Sequence, residues 1–208
     1  MNIERIVSFD NDENCYILFD ETKQGAVIDP GTDANVIFEK IKGLGIKIKY
    51  ILLTHCHYDH IEGLEELRKI TAAEVCASFE CNLGIQNPTT NLSKLFSACI
   101  KAEPADIIIS DGDEICFGNT AVKVITTPGH TRGGVCYLAE NDLFSGDTLF
   151  LRSIGRTDFP GGDSKELEKC IREKIYTLDD DIIVHPGHGN DTKVYYEKRY
   201  NMYVRNEK

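Results

Sequence analysis

The 208-residue sequence lacks the segments that would place a protein in a membrane or send it across one. No apolar run approaches the roughly 18 residues that a membrane-spanning helix needs. The N-terminal segment MNIERIVSFD has neither an apolar core nor a small-residue cleavage site, so it does not resemble a secretory signal. We therefore expect a cytoplasmic protein with no membrane partner.

Basic side chains and paired cysteines are also scarce. The chain has 23 Lys and Arg residues against 34 Asp and Glu residues, a formal net charge of −11. Because phosphate backbones are bound by clustered Lys and Arg, this balance argues against a nucleic-acid partner. None of the eight cysteines forms a C-x-x-C pair, and their density is below that of a disulfide scaffold. We predict free and mostly buried thiols.

The sequence does contain short strand-like runs that alternate with helical segments. Its length suits one domain, residues 1–208, and 41% hydrophobic and 27% charged residues are typical of a globular fold. Strands are predicted at 15–19, 26–28, 46–53, 74–77, 107–109, 121–125, 135–138, 142–144 and 181–184. Helices are predicted at 33–45, 64–70, 164–178 and 193–204, whereas 78–105 gives no clear pattern. This order predicts an α/β domain with its helices outside.

Three histidines and an aspartate fall within six residues directly after the buried strand 46–53: His55, His57, Asp59 and His60. Alternate residues of an extended backbone point to the same side, so the first three side chains project together, with His60 beside them. Imidazole and carboxylate groups are ligands of zinc and other divalent cations. Burying four such groups without a cation would be costly, so the cluster predicts a metal site.

The other histidines follow the same placement. His130, Asp147, His185 and His188 lie where predicted strands end, next to glycine or proline. Functional side chains concentrate on loops that a rigid scaffold holds in place. A single histidine is more often an ordinary hydrogen-bonded residue, so spacing alone leaves the role of each one open.

The ordered motif His55-x-His57-x-Asp59-His60, followed by His130, Asp147 and His188, resembles the signature of the metallo-β-lactamase superfamily. Flanking segments also resemble that superfamily, so the similarity runs from about residue 14 to 192: 14–16, 27–31, 127–131, 144–150 and 186–189. The resemblance implies an αββα sandwich, in which two mixed β-sheets lie face to face with helices on the outer faces.

Within that superfamily, GDTLF at 146–150 followed by GRTDF at 155–159 is similar to the glyoxalase II and persulfide dioxygenase branch. The resemblance implies two metal sites that share one bridging carboxylate, Asp147. It assigns the first site to His55, His57 and His130, and the second to Asp59, His60 and His188. His185 has no ligand counterpart, and we interpret it as a residue at the rim or behind the ligands.

The resemblance implies a hydrolase with two divalent ions, zinc as the expected metal and iron or manganese as alternatives. Two cations that share a water lower its pKa, so a metal-bridging hydroxide would attack a carbonyl carbon. Asp59 and Asp147 are then the catalytic carboxylates, with Asp59 also orienting the nucleophile. Asp29 and Thr54 are candidates for orienting the ligand imidazoles.

The implied substrate is a small molecule, a thioester such as S-hydroxyacyl glutathione. Arg156 matches a basic residue that contacts a glutathione carboxylate in glyoxalase II, and a planar guanidinium suits a carboxylate. Asp158 stands near a position where the family often has tyrosine. The sequence resembles glyoxalase II without its C-terminal helical domain, so we place it with the short single-domain hydrolases.

Other readings of the same residues stay open. A persulfide dioxygenase holds one iron by two histidines and a carboxylate, which His55, His130 and Asp147 would satisfy. A hydrolase of another small ester or lactone is a further alternative. An exported β-lactamase, a nucleic-acid-processing enzyme and a non-enzymatic metal-binding module are less favoured. The oligomeric state is left open by the sequence.

Overall fold

A computed structural model describes residues 1–205, which form two six-stranded β-sheets and a short two-stranded one. The first sheet has the strand order β1-β2-β3-β4-β5-β6. Its strands are Asn2–Val7, Asn14–Phe19, Gln24–Ile28, Lys47–Leu52, Glu74–Ser78 and Ile107–Ile109. The pairs β1–β2 and β2–β3 are antiparallel, whereas β3 to β6 are parallel. This sheet is therefore mixed.

The second sheet has the strand order β14-β13-β10-β9-β8-β7. In chain order its strands are Glu114–Phe117 (β7), Thr120–Thr126 (β8), Val135–Ala139 (β9), Asp142–Gly146 (β10), Ile183–Pro186 (β13) and Thr192–Lys193 (β14). Only β10 and β13 pair in parallel, so this sheet is mixed as well. The strands β11 (Leu149–Phe150) and β12 (Ser153–Ile154) form the small hairpin.

The helices fall between the strands in the predicted alternation. They are Ala34–Leu44 (α1), Tyr58–Ile61 (α2), Leu64–Thr71 (α3), Phe79–Ile85 (α4), Ser164–Cys170 (α5) and Val194–Tyr200 (α6), with a 3₁₀ turn at Ser93–Phe96. The Asp33 side chain caps α1 by accepting from the Asn35 amide, and Gly45 ends the helix in the left-handed conformation, φ 64°. Both ends of this helix were predicted from the sequence.

The buried apolar residues form three layers that confirm the αββα arrangement. The middle layer lies between the two sheets and includes Leu18, Val124 and Tyr137, all completely or almost completely buried. A second layer packs α1 and α3 against the outer face of the first sheet, and a third packs α5 against the outer face of the second. Both faces of each sheet are therefore covered, so the loops that follow the strands lie at the ends of the sandwich.

The predicted local structure needs correction at several places. Strands β1 and β7 were missed because they are edge strands with exposed residues, and β11, β12 and β14 because each has only two residues. Helix α4 was missed because it has no long apolar face, and the helix predicted over 193–204 ends at Tyr200. The helix predicted over 164–178 is an α-helix only to Cys170 and continues as a π-helix over Ile171–Ile175. Its apolar residues still face the core, which is why the periodicity detected a helix but not the change of pitch.

Six of the eight cysteines are buried and all eight are free thiols, as predicted. The exceptions are Cys99 and Cys116, whose side chains are exposed. Within residues 1–205, no helix combines the length and the apolar character that crossing a membrane would require.

Candidate metal centre

The predicted ligands come from loops that follow strands of both sheets at one end of the sandwich. The segment from His55 to His60 follows β4 of the first sheet. His130, Asp147 and His188 follow β8, β10 and β13 of the second sheet, which run in the same direction. The Val135 amide donates to the Thr54 carbonyl at 2.8 Å, so the two sheets are joined where these loops begin.

The first group of ligands consists of three buried histidines. The distance from His55 Nε2 to His57 Nδ1 is 3.1 Å, and that from His57 Nδ1 to His130 Nε2 is 2.9 Å. All three nitrogen atoms could therefore ligate the same ion. The extended backbone does place His55 and His57 on the same side, as expected.

The second group combines two histidines and a carboxylate. His188 Nε2 lies 3.3 Å from His60 Nε2 and 3.3 Å from Asp59 Oδ2, and His60 Nε2 lies 4.0 Å from that oxygen. His60 is completely buried, whereas Asp59 and His188 are partly exposed. This group is therefore the more open of the two.

Asp147 lies between the two groups. Its Oδ2 is 3.5 Å from His130 Nε2, and its Oδ1 is 3.4 Å from His60 Nε2. Among the described residues Oδ1 has no hydrogen-bond partner although it is buried. A buried oxygen without a partner, beside nitrogen atoms that can offer lone pairs, fits a cation on each side of the carboxylate. The residues present thus fit two divalent metal ions.

The electrostatics of the two groups differ. Burial, together with the neighbouring imidazoles, holds the pKa of His55 well below its ordinary value and lowers that of His57 to about 3. Burial acts on His60 in the same direction, but Asp147, Asp29 and Asp59 outweigh it and raise the pKa of this histidine. His55 and His57 are therefore neutral imidazoles, the form that binds metal.

Groups behind the ligands fix their orientation. Asp29 accepts hydrogen bonds from the Thr54 amide at 2.7 Å, from the Thr54 hydroxyl at 2.5 Å and from His60 Nδ1 at 2.9 Å. Thr54 Oγ1 also lies 3.0 Å from His55 Nδ1. Asp29 was predicted to orient a ligand. Its bond to Nδ1 of His60 leaves Nε2 as the ring nitrogen that could ligate a metal.

Two contributions to the site were not predicted. Glu13 is completely buried 4.0 Å from His60 Nδ1, and neither of its oxygens has a partner among the described residues. Burial raises the pKa of this carboxyl well above its ordinary value. The second is the Arg156 carbonyl, which accepts a hydrogen bond from His130 Nδ1 at 2.7 Å. A loop glutamate and a backbone oxygen give no recognisable signal in a sequence.

His185 does not join the ligands, as predicted, but it lies inside β13 rather than at a strand end. Its Nε2 contacts Asp142 Oδ1 at 2.8 Å and its Nδ1 contacts Asp191 Oδ1 at 3.3 Å. The ring stacks on Phe144 with 5.0 Å between centroids. The histidine thus ties β13 to its neighbours and is not a rim residue of the metal site.

Arg156, the predicted substrate-binding residue, lies near the ligands but is already paired. Its Nε and Nη2 each donate to a different oxygen of Asp158 at 2.7 Å, and its guanidinium lies 3.9 Å from the ring centroid of Phe159. That ring is 6.1 Å from the ring of His57. The loop borders the site, but one side of the guanidinium is occupied.

Comparison with known proteins identifies the family of this chain. The family profile of the metallo-beta-lactamase superfamily matches residues 9–188. Hydroxyacylglutathione hydrolase GloC of Haemophilus influenzae is 32% identical over 212 residues, which is 98% of each chain. Probable metallo-hydrolase YqgX of Bacillus subtilis is 35% identical over 194 residues, which is 92% of each chain.

Three solved structures share the fold over nearly the whole chain. The BLEG-1 B3 metallo-beta-lactamase has a TM-score of 0.93 and 33% identity over 98% of this chain and 99% of its own. TTHA1623 in a di-iron-bound form has a TM-score of 0.85 and 27% identity, covering 96% and 99%. ETHE1 from Myxococcus xanthus has a TM-score of 0.82 and 29% identity, covering 98% and 84%. The chain therefore belongs to the metallo-beta-lactamase superfamily of metallo-hydrolases.

Proposed function

We propose that this protein is a metal-dependent hydrolase of a small thioester such as an S-hydroxyacyl glutathione. The observation that carries the proposal is the shared position of Asp147 between a three-histidine group and an Asp-His-His group. The similarity to the relative named hydroxyacylglutathione hydrolase supports the choice of a thioester.

The seven residues would divide between two metal ions, with zinc proposed as the metal. The first ion would be held by His55, His57 and His130, the second by Asp59, His60 and His188, with Asp147 shared. When bound, such ions supply Lewis acidity and lower the pKa of coordinated water towards neutrality.

The two carboxylates differ in their access to solvent. The Asp59 side chain is 21% exposed and that of Asp147 is 12% exposed. Substrate and water therefore reach Asp59 more readily, which suits a residue that accepts a hydrogen bond from the attacking nucleophile. Asp147 is the more enclosed group and suits a purely ligating role.

A thioester suits this site because its leaving group needs no general acid from the protein. The leaving thiol has a pKa of about 8.5, so it can depart as a thiolate near neutral pH without a proton donor. The reaction then needs only an oriented nucleophile and stabilisation of the oxyanion, and the ligand cluster is built for both.

Similarity to ETHE1 and the GRTDF segment at 155–159 support a second candidate, persulfide oxygenation at a single iron. That site would use His55, His130 and Asp147. However, His57 Nδ1 lies 2.9 Å from His130 Nε2, so His57 belongs to the same group as His55 and His130, the two histidines of the iron site. This contact favours the hydrolase.

The test combines metal analysis with two assays on protein purified without added metal. We expect two metal equivalents and hydrolysis of S-lactoylglutathione under nitrogen, both reduced in His57→Ala. One iron per chain, with oxygen uptake on glutathione persulfide and no hydrolysis, would establish the dioxygenase instead. Hydrolysis of lactones or of nitrocefin but not of thioesters would retain the hydrolase and refute the thioester substrate.

A further inference from the structure

A cleft of about 400 Å³ opens beside the metal centre on the side of His57. It is lined by His57 and Cys56 at its inner end, and by Glu80 and Arg132 among the residues farther out. Because a predicted ligand forms part of its wall, a molecule held in this cleft could place a reactive group at the metal centre.

Arg132 is the cation of this cleft that is free to bind. In residues 1–205, no carboxylate oxygen lies within 4.0 Å of its guanidinium, and no hydrogen bond joins it to another residue. Its aliphatic stem runs beside Gly161, where an added Cβ would lie 3.6 Å from Arg132 Cγ. Arg156, by contrast, is engaged by Asp158. An unpaired guanidinium at a cleft is suited to a carboxylate.

Glu80 supplies the opposite charge in the same cleft. It is exposed in the first turn of α4 and forms no ion pair with Arg132, so the two charges do not neutralise each other. The Ser78 hydroxyl donates to the Gly133 carbonyl at 2.7 Å, and an added Cβ at Gly133 would overlap the Cys81 amide nitrogen. Close backbone packing therefore fixes the segment that carries Arg132 against the turn that carries Glu80.

The wall of the cleft also contains an unsatisfied hydroxyl, on the residue next to Arg132 in the chain. Thr131 lines the cleft and is only 7% exposed. Its Oγ1 has no hydrogen-bond partner among the described residues. A buried hydroxyl without a partner is uncommon and costs stability unless a ligand or water completes it.

We propose that this cleft is a binding site for a zwitterionic amino-acid group, the non-acyl end of a thiol-containing substrate. Arg132 binds its carboxylate, the hydroxyl of the adjacent Thr131 donates to the same carboxylate, and Glu80 binds its ammonium. The sulfur end then points towards His57 and the metal centre. The assignment rests on the proposed thioester hydrolysis for its direction, but not for the binding itself.

Binding of inert thioethers to the metal-loaded full chain tests the proposal, measured by calorimetry or by NMR shifts. S-methylcysteine carries both charges, 3-(methylthio)propanoate lacks the ammonium, and 2-(methylthio)ethylamine lacks the carboxylate. We expect S-methylcysteine to bind most tightly. Arg132→Gln and Glu80→Gln should each weaken it about tenfold, the size of one charge-assisted hydrogen bond.

Matched variants separate this site from other effects. Lys69→Gln removes one exposed positive charge from α3 and should leave binding unchanged, and Arg132→Lys should restore part of the affinity. Equal affinity in all variants would mean that the probe binds only the metal, and this result would overturn the proposed site. Absence of binding to the wild type would overturn it as well. Binding with this pattern but without thioester hydrolysis would retain the site and refute the proposed reaction.

Discussion

His130 and Arg156 are joined by a hydrogen bond in which the imidazole Nδ1 donates to the backbone carbonyl at 2.7 Å. A carbonyl only accepts, so this bond fixes the proton on Nδ1 and leaves the lone pair on Nε2, the atom that faces His57. The loop that carries the predicted substrate residue therefore also sets the tautomer of a predicted metal ligand.

Gly155 tests this connection. An added Cβ there would overlap the Asp147 carbonyl oxygen and lie 3.1 Å from His130 Nδ1. We expect Gly155→Ala to lower metal affinity about 10- to 100-fold, the usual cost of disturbing groups behind a ligand. Competition with a chromogenic chelator measures it. Gly43→Ala, in a helix with open space around the added Cβ, is the control, and equal affinities would refute the connection.

The two histidines of the HPGH segment should behave in opposite ways. His188→Ala removes a member of the second ligand group, so we expect loss of one metal equivalent by elemental analysis. His185→Ala should keep the wild-type metal content but lower the free energy of unfolding by about 1–3 kcal/mol, because two carboxylates lose their partner. Loss of metal from His185→Ala without loss of stability would reverse these roles.

Asp29→Asn should weaken the second metal site without emptying the first. An amide nitrogen in place of Asp29 Oδ2 would donate to His60 Nδ1 and force the proton onto Nε2, the ligating atom. We expect about a 10-fold loss of affinity for one of two ions, measured by titration with Zn²⁺. Thr54→Ser keeps the hydroxyl that bonds to Asp29 and should titrate like the wild type.

Asp158 should limit the use of Arg156 by an anionic substrate. The hydrogen bond from Arg156 lowers the pKa of Asp158 to about 2, so the pair persists throughout the neutral range. We expect Asp158→Asn to reduce KM for S-lactoylglutathione about two- to fivefold with little change in kcat, since exposed pairs are weak. An unchanged KM would mean that Arg156 does not contact the substrate.

A pH effect on stability is expected from Asp106 near the edge of the first sheet. Partial burial acts to raise its pKa, but hydrogen bonds from the Val75 amide and Arg68 prevail and lower it. A lowered pKa in the folded state means stabilisation above the ordinary aspartate pKa that is lost as pH falls. Asp106→Asn should cost about 1 kcal/mol at pH 7, and its melting temperature should converge with the wild type in acid. A gap that persists in acid would contradict this origin.

The sequence predicted the elements whose side-chain periodicity is strong, and the residues whose chemistry is distinctive. Helix α1 was predicted at both ends because Asp33 and Gly45 act locally. The seven predicted ligands were found together because histidine clusters are rare and family motifs preserve their order. No local sequence pattern distinguishes a free arginine from a paired one. Arg156 was therefore predicted to bind substrate, and Arg132 was not.

Long-range packing accounts for the other differences. His185 and His188 share one motif, yet His185 contacts Asp142 at the start of β10, whereas His188 contacts Asp59 in the helix α2 that follows the other sheet. Glu13 resembles a surface loop residue until β2 and the segment after β13 enclose it. Such contacts depend on which strands become neighbours, and hydrophobic patterning does not specify that.

The division of the ligand set between the two sheets has a thermodynamic consequence. Residues 55–60 follow the first sheet, and the remaining three ligands follow the second. Ions bound to both sets, as proposed, would cross-link the two halves of the chain and would bind only when the halves are docked. Folding and metal binding would then form one linked equilibrium, in which the free energy of unfolding rises with the concentration of free metal.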